Sequence, residues 1–176
     1  MTTTPPTDNI ALARRTLVPS LVSLINDDIP LTAQHIIDLA VPFGDDLTFT
    51  NRFSARNTLL SWIPDNSEYF LNESEALKAA KAIYEKCPQA IQIANKNRET
   101  ALQVSIEAQN EPLATFFLEK FIEQGIAHTA VNRLMGIDRQ TTLDFAIATK
   151  IFSDIFIARL KECGAKTYEQ LVEGKA

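Results

Sequence analysis

The sequence has little glycine, cysteine or histidine. Five glycines, two cysteines and two histidines occur among 176 residues. So few glycines argue against a sheet-rich fold with many tight turns. Cys87 and Cys163 lie far apart without a CxxC neighbour, so we expect no disulfide framework or zinc site, and a reducing compartment such as the cytoplasm fits best. His35 and His128 stand in no cluster with cysteines or carboxylates, so we expect no metal site.

Long apolar runs, an excess of positive charge and catalytic motifs are also missing. No run approaches the ~18 apolar residues of a membrane span. The first ten residues have neither the basic nor the apolar region of a secretory signal, and we expect residues 1–8 to be a disordered tail. The net charge of −5 excludes the basic footprint of a nucleic-acid-binding protein. Phosphate-binding loops, GxSxG and HExxH are absent, so we expect no cofactor and no catalytic residues.

The sequence does contain a short motif that occurs three times. Ala, Leu, Ile, Glu and Lys abound and 45 % of the residues are hydrophobic, which favours an all-α globular chain. RNTLLSWI, RETALQVSI and RQTTLDFAI begin at residues 56, 98 and 139. Their threonines, Thr58, Thr100 and Thr141, are 42 and 41 residues apart (100 − 58 and 141 − 100). A fixed period of this size predicts a solenoid.

A second amphipathic pattern follows each copy of the motif, so the predicted unit is a turn, a short inner helix, a loop and a longer outer helix. Ser74 is the expected N-cap of the first outer helix, and Gly125 and Gly164 are expected to end the other two. The apolar stripe of the third outer helix is Phe152, Ile155, Phe156 and Leu160. The predicted divisions are a tail (1–8), an N-terminal capping helix pair (9–48) and three repeats in 49–176, at about 50–90, 91–131 and 132–176.

The third unit resembles the ankyrin repeat. Its matching residues are Thr141-Thr142-Leu143-Asp144, then Ala146 and Ala148, then Leu160-Lys161-Glu162-Cys163-Gly164-Ala165. The resemblance covers about residues 50–170 and implies about three divergent ankyrin-like helix pairs that bind other proteins through a concave face. Arg56, Arg98 and Arg139 replace the family's glycine, so either arginine adopts the left-handed backbone of that glycine or the turn is remodelled, and both cost free energy. HEAT or armadillo repeats, with periods of ~40–47 residues, fit the spacing better and remain the alternative.

We interpret the three threonines as helix caps, and the leucines two residues after them as core. Cys87 and Cys163 are expected to be buried small apolar residues. Turn tips and outward-facing inner-helix positions form the predicted partner-binding surface. Its residues are Arg56, Asn57, Trp62, Lys96, Arg98, Gln103, Glu107, Arg139 and Asp144. For Trp62 we favour core packing, because large aromatic residues are mostly buried.

These features predict a monomeric module that binds another protein and has no catalytic activity, cofactor, nucleic-acid partner or membrane partner. Unusual repeats in one short chain resemble the ankyrin proteins that intracellular bacteria deliver into host cells, and a related possibility is an enzyme inhibitor. Two alternatives stay open. One is an enzyme that uses cysteine or histidine chemistry on a helical scaffold. The other is a structural subunit or assembly chaperone.

Overall fold

The computed structural model describes residues 11–12, 15–48, 57–135 and 140–173, and this part of the chain is mostly helical. The prediction of an all-α chain is confirmed. The α-helices are α1 Leu17–Asn26, α2 Ala33–Ala40, α3 Leu59–Asp65, α4 Glu73–Lys86, α5 Ala101–Glu107, α6 Glu111–Glu123, α7 Ala127–Val131, α8 Thr142–Thr149, α9 Asp154–Glu162 and α10 Tyr168–Glu173. Short 3₁₀ helices span Val41–Phe43, Ser67–Tyr69 and Pro88–Gln92.

The helices lie in two rows. Helix α5 packs against both α3 and α8, and these three form the inner row. Helix α4 packs against α2 and α6, and α6 packs against α9, so these four form the outer row. Each inner helix also packs against the outer helix that follows it in the chain, which gives the hairpins α3–α4, α5–α6 and α8–α9.

Threonine side chains begin the inner helices, as predicted. The hydroxyl oxygens of Thr58 and Thr141 accept hydrogen bonds from the backbone N–H three residues later, at 3.2 and 3.1 Å. The Thr100 hydroxyl instead donates to the side-chain oxygen of Gln103, which also accepts from the Thr100 N–H at 3.1 Å. A cap of this kind stabilises a helix by about 0.5–2 kcal/mol.

Asparagine or serine begins three of the outer helices. Asn72, Asn110 and Ser153 each accept from the N–H three residues later, at 3.1, 3.1 and 3.2 Å. The prediction of Ser74 as the cap of α4 is wrong. Helix α4 begins at Glu73 and already includes Ser74, and its N-cap is Asn72, whose amide oxygen accepts from the otherwise unbonded Glu75 N–H.

Left-handed backbone occurs at the predicted glycines and at one predicted arginine. Gly125 and Gly164, just after α6 and α9, have φ of +71° and +81°. Arg98 has φ of +69°, so an arginine does adopt the conformation for which the ankyrin family uses glycine. Lys150 ends α8 with φ of +56°. A non-glycine residue in this region costs about 1–2 kcal/mol of backbone strain.

Helices α3 and α5 are buried except at their last residues. Residues 59–64 and 101–106 are all buried, and Leu60, Leu102 and Leu143 belong to the core as predicted. These helices have only seven residues each, and the 3₁₀ helix Pro88–Gln92 packs against both of them in addition to their helical neighbours. Of these two helices only the last residues, Asp65 and Glu107, are exposed, so positions 59–64 and 101–106 form no open face.

A small antiparallel pair of strands precedes α8. Strand β1, Leu134–Met135, pairs with β2, Gln140–Thr141, in a register that places Leu134 opposite Thr141. The sequence pattern predicts no strand here, because two residues are too few to show an alternating pattern. The pairing fixes the approach of the chain to the N-cap of α8.

Candidate functional site

Polar residues repeat in register on the two buried inner helices. Asn57, just before the N-cap of α3, and Ser61 and Asp65 within α3 are four residues apart, a spacing that places the last two on one face of the helix. The positions 42 residues later are occupied by Glu99, Gln103 and Glu107 (99 − 57, 103 − 61 and 107 − 65). This offset equals that between Thr58 and Thr100, so the two units share a polar stripe as well as a cap.

Asn57 joins the stripe of α3 to the loop before α5. Asn95 Nδ2 donates to Asn57 Oδ1 at 3.0 Å, and Asn57 Nδ2 donates to Asp65 Oδ2 at 2.9 Å. The Ser61 hydroxyl also donates to Asn57 Oδ1, at 3.3 Å. Asn57 is almost completely buried, so its predicted place on an exposed turn tip is wrong, because its amide is used within the fold.

Three carboxyl groups of the two stripes, those of Asp65, Glu99 and Glu107, lie close together. Asn95 Nδ2 also donates to Glu99 Oε2 at 3.1 Å, and Glu99 is almost completely buried. Burial, then the charge of Glu99 and a hydrogen bond with it, then the charge of Asp65, raise the pKa of Glu107 to about 7. Glu107, the last residue of α5, is exposed as a whole residue, as predicted, but its carboxyl group is partly buried against Glu99. Its carboxyl group therefore changes charge near neutral pH.

Gln103 links α5 to the next unit. Its Nε2 donates to the carbonyl oxygen of Ala130 at 2.9 Å and to the Thr142 hydroxyl at 3.3 Å, while its oxygen bonds Thr100. The side chain is fully buried. The prediction that Gln103 faces outward is wrong, because its amide bonds Thr100 in its own unit and Thr142 in the next.

Trp62 is also buried, which confirms the favoured core position and means that Trp62 is not part of the accessible surface.

Asp144 occupies the same place in the third unit and is half-buried. Its Oδ2 accepts from the Thr141 N–H at 3.1 Å and the Thr141 hydroxyl at 2.8 Å. It also accepts from the Tyr168 N–H, at 2.8 Å, at the start of α10. Asp144 therefore caps one helix and holds the next, so its carboxylate serves the fold in addition to any surface contact.

Lys96 and Arg98 are exposed, as predicted for a turn tip. The turn is held by Asn95, whose Oδ1 accepts from the N–H groups of Asn97 and Glu99 at 2.9 and 3.0 Å, while the Arg98 N–H donates to the Asn95 carbonyl at 3.0 Å. Both basic side chains therefore project from a well-bonded loop. The predicted residues Arg56 and Arg139 lie outside the described residues.

Neither cysteine has the setting of a nucleophile. Burial raises the pKa of the Cys87 thiol and of the Cys163 thiol, so both keep their protons at neutral pH.

The two histidines have contacts within the fold. The Thr32 N–H donates to His35 Nδ1 at 3.3 Å, and the His128 ring lies next to Gly164. Within the described ranges, no group of three or more His, Cys, Asp or Glu side chains could hold a metal ion.

Two grooves run between neighbouring helices of the outer row. The α4–α6 groove has a volume of about 410 Å³ and the α6–α9 groove one of about 520 Å³. In the α4–α6 groove, the Lys120 ammonium lies 5.6 and 5.8 Å from the ring centres of Tyr84 and Phe116. In the α6–α9 groove, Ile155 is 83 % exposed, so its predicted place in an apolar core stripe is wrong. Helical spacing alone does not predict this exposure, because it does not specify how α9 lies against α6.

The chain matches no family model, no curated protein and no solved structure. Among the described residues, no helix combines the length and the apolar character that crossing a bilayer requires. Hydrogen-bond register, surface charge and groove geometry are therefore the basis for a functional proposal.

Proposed function

We propose that the protein is a divergent ankyrin-like helical-repeat module whose function is to bind another protein. The observation that carries this proposal is the polar stripe that recurs 42 residues later on the next inner helix, together with its bonds across unit boundaries. In stacked repeats each unit contacts only its neighbours, so bonds across unit boundaries contribute to the stability of the stack.

The outer row supports the same stacking. The Ala33 N–H at the start of α2 donates to the Glu75 carboxylate at 2.9 Å, and the Ser153 N–H before α9 donates to the Glu111 carboxylate at 2.6 Å. Each pair is separated by 42 residues (75 − 33 and 153 − 111). In both cases a glutamate in the first turn of one outer helix accepts from a backbone N–H at the start of another, the preceding helix α2 for Glu75 and the following helix α9 for Glu111.

The chemistry of the accessible surface also favours binding over catalysis. Both thiols have raised pKa values, and the buried polar side chains serve caps and unit boundaries. An enzyme that uses cysteine would need a thiolate with a base beside it. A rigid surface with exposed charges at a bonded turn, in contrast, binds a partner with little loss of conformational entropy.

Within this proposal, the partner contacts the turn tip at Lys96 and Arg98 and the neighbouring end of α5 at Glu107. Arginine is enriched among interface residues that contribute most to affinity. Because these three side chains carry both signs of charge, we expect a partner surface of mixed charge. The delivery of the chain into a host cell, which the resemblance implies, is compatible with a function that needs only a surface.

The test uses affinity capture by the full chain, followed by mass spectrometry. We expect Lys96→Ala/Arg98→Ala to lose a partner that the wild type captures, while Lys161→Ala/Lys166→Ala, with the same change in net charge, retains it. Both variants should keep the free energy of unfolding within about 0.5 kcal/mol of the wild type. Equal capture by the two variants would show that the turn tip is not part of the interface. If the wild type enriches no protein, that result counts against a binding function.

A further inference from the structure

The α6–α9 groove combines an apolar floor with an exposed isoleucine. Thr115 of α6 and Phe156 and Ala158 of α9 line it, and Ile155 stands at its edge. Its volume of about 520 Å³ is in the range of protein sites that hold part of a ligand or a partner side chain. The groove is formed by two helices of the outer row and does not involve the buried inner helices.

Ile155 is unusual for its position. It is the second residue of α9, and the second residues of α2, α4 and α6 are Gln34, Ser74 and Pro112. No apolar side chain is therefore needed there to build an outer helix. Isolated exposed apolar residues are common on protein surfaces, but this one borders a groove and follows a second exposed isoleucine, Ile151.

The charges around the groove are unbalanced. Three carboxylates line it, those of Glu111, Glu119 and Glu162, and Arg159 is the one cation among the described residues that line it. Arg159 Nε donates to Glu119 at 3.0 Å and its Nη1 to Glu162 at 3.0 Å, so one guanidinium serves two carboxylates. Glu111 bonds only the N–H and the hydroxyl of Ser153 here, which are uncharged donors. The groove therefore keeps an excess of negative charge.

We propose that this groove is a docking site for a basic amphipathic helix of a partner protein. An apolar side chain of that helix packs on Ile155 beside Thr115 and Ala158, and lysine or arginine side chains reach Glu111 and Glu162. A second copy of the chain fits less well, because a protein of net charge −5 would bring more negative charge to an acidic groove. The proposal rests on the proposed binding function and adds the chemistry of the partner at a second surface.

The probe is a synthetic 16-residue peptide that has leucines on one helical face and lysines on the other. A peptide of the same composition in scrambled order, without a leucine face, is its control. We expect the amphipathic peptide to bind the full chain, with amide shift changes in nuclear magnetic resonance spectra confined to α6 and α9. The affinity should fall as salt rises, because the charges are exposed to solvent.

Matched variants decide whether binding depends on this groove. Ile155→Ser/Glu162→Gln should weaken binding about tenfold, whereas Leu71→Ser/Glu68→Gln, which removes another exposed apolar residue and another carboxylate, should change it less than about twofold. Thermal melts establish that both variants are folded.

Equal binding of the two peptides, an equal loss in both variants, or shift changes outside α6 and α9 would overturn the proposal. Self-association of the wild type that Ile155→Ser abolishes would assign the groove to a second copy and also overturn it. None of these results bears on capture through Lys96 and Arg98, so failure of this groove and failure of the proposed function remain distinguishable.

Discussion

At the scale of single residues, the third helical position of each inner helix has two roles. Ser61, Gln103 and Asp144 occupy this position, and each belongs to a cap made with the preceding threonine. Gln103 also bonds Thr142 of the following unit directly, Ser61 reaches Asn95 of the following unit through Asn57, and Asp144 accepts from the Tyr168 N–H at the start of α10. One position therefore starts its own helix and joins it to the next.

Replacement of Gln103 should be costly. Gln103→Ala leaves the buried Thr142 hydroxyl and the Ala130 carbonyl without this donor, so we expect the free energy of unfolding to fall by about 1–3 kcal/mol. Urea unfolding measures this change. Gln34→Ala, at an exposed position of α2, is the control and should change the free energy of unfolding by less than about 0.5 kcal/mol. A similar small change for both variants would mean that the Gln103 bonds do not stabilise the fold.

Glu107 should make stability depend on pH. Its pKa is raised from the ordinary 4.5 to about 7, so between these values the folded chain holds a proton that the unfolded chain has lost. Stability therefore falls as pH rises from about 4.5 to about 7, and changes no further above that range through this group. The stability that comes from the protonated Glu107 carboxyl group is therefore present at low pH and lost at high pH.

The variant Glu107→Gln removes this titration. At pH 8 we expect it to melt about 2–4 °C above the wild type, a modest value because Glu107 is exposed to solvent, and at pH 4 the two should melt together. Differential scanning calorimetry across this range is the measurement. Asp154→Gln, at an exposed position of α9, is a control for the loss of one charge. An equal shift of the melting temperature in both variants would contradict the role of Glu99 and Asp65 in raising the Glu107 pKa.

At the scale of elements, the short helices depend on their ends more than on helix propensity. A helix of seven residues, such as α3 or α5, has few internal hydrogen bonds and is not stable alone. Caps at the start and left-handed residues at the end satisfy backbone groups that would otherwise be unbonded. Lys150 provides such an end for α8, although its side chain disfavours that backbone.

Glycine at position 150 should stabilise α8. Lys150→Gly removes the strain at φ +56°, and we expect a gain of about 0.5–1 kcal/mol in the free energy of unfolding after the entropic cost of glycine. Lys150→Ala, which removes the charge but keeps the Cβ atom, should show no such gain. Chemical denaturation compares the two, and an equal effect would show that charge rather than backbone strain matters here.

The sequence predicts the features of this fold that depend on nearby residues. The caps by Thr58 and Thr141 and the left-handed Arg98 could be predicted, because a few adjacent residues decide them. The burial of Gln103 could not, since it depends on Thr142, 39 residues later. The exposure of Ile155 and the groove beside it depend on how α9 lies against α6, which the spacing of apolar residues does not specify.

At the scale of the whole molecule, one hydrophobic core runs through both rows from Leu17 to Ala165. Because each hairpin shares this core with the next, we expect the described part of the chain to unfold cooperatively rather than unit by unit. The surface left over consists of turn tips, helix ends and the grooves of the outer row. Binding at such surfaces needs no enclosed pocket.

The most direct test of this account is a nuclear Overhauser experiment on the side-chain amide of Gln103 in the full-length protein. Stacked units in register predict strong contacts from the Gln103 amide protons to the protons of Thr142 and to the backbone near Ala130, from which Nε2 lies 3.3 and 2.9 Å. They also predict slow exchange of these amide protons with solvent, because the side chain is buried. A solvent-exchanging Gln103 amide without contacts to Thr142 would contradict the stacking on which both binding proposals depend.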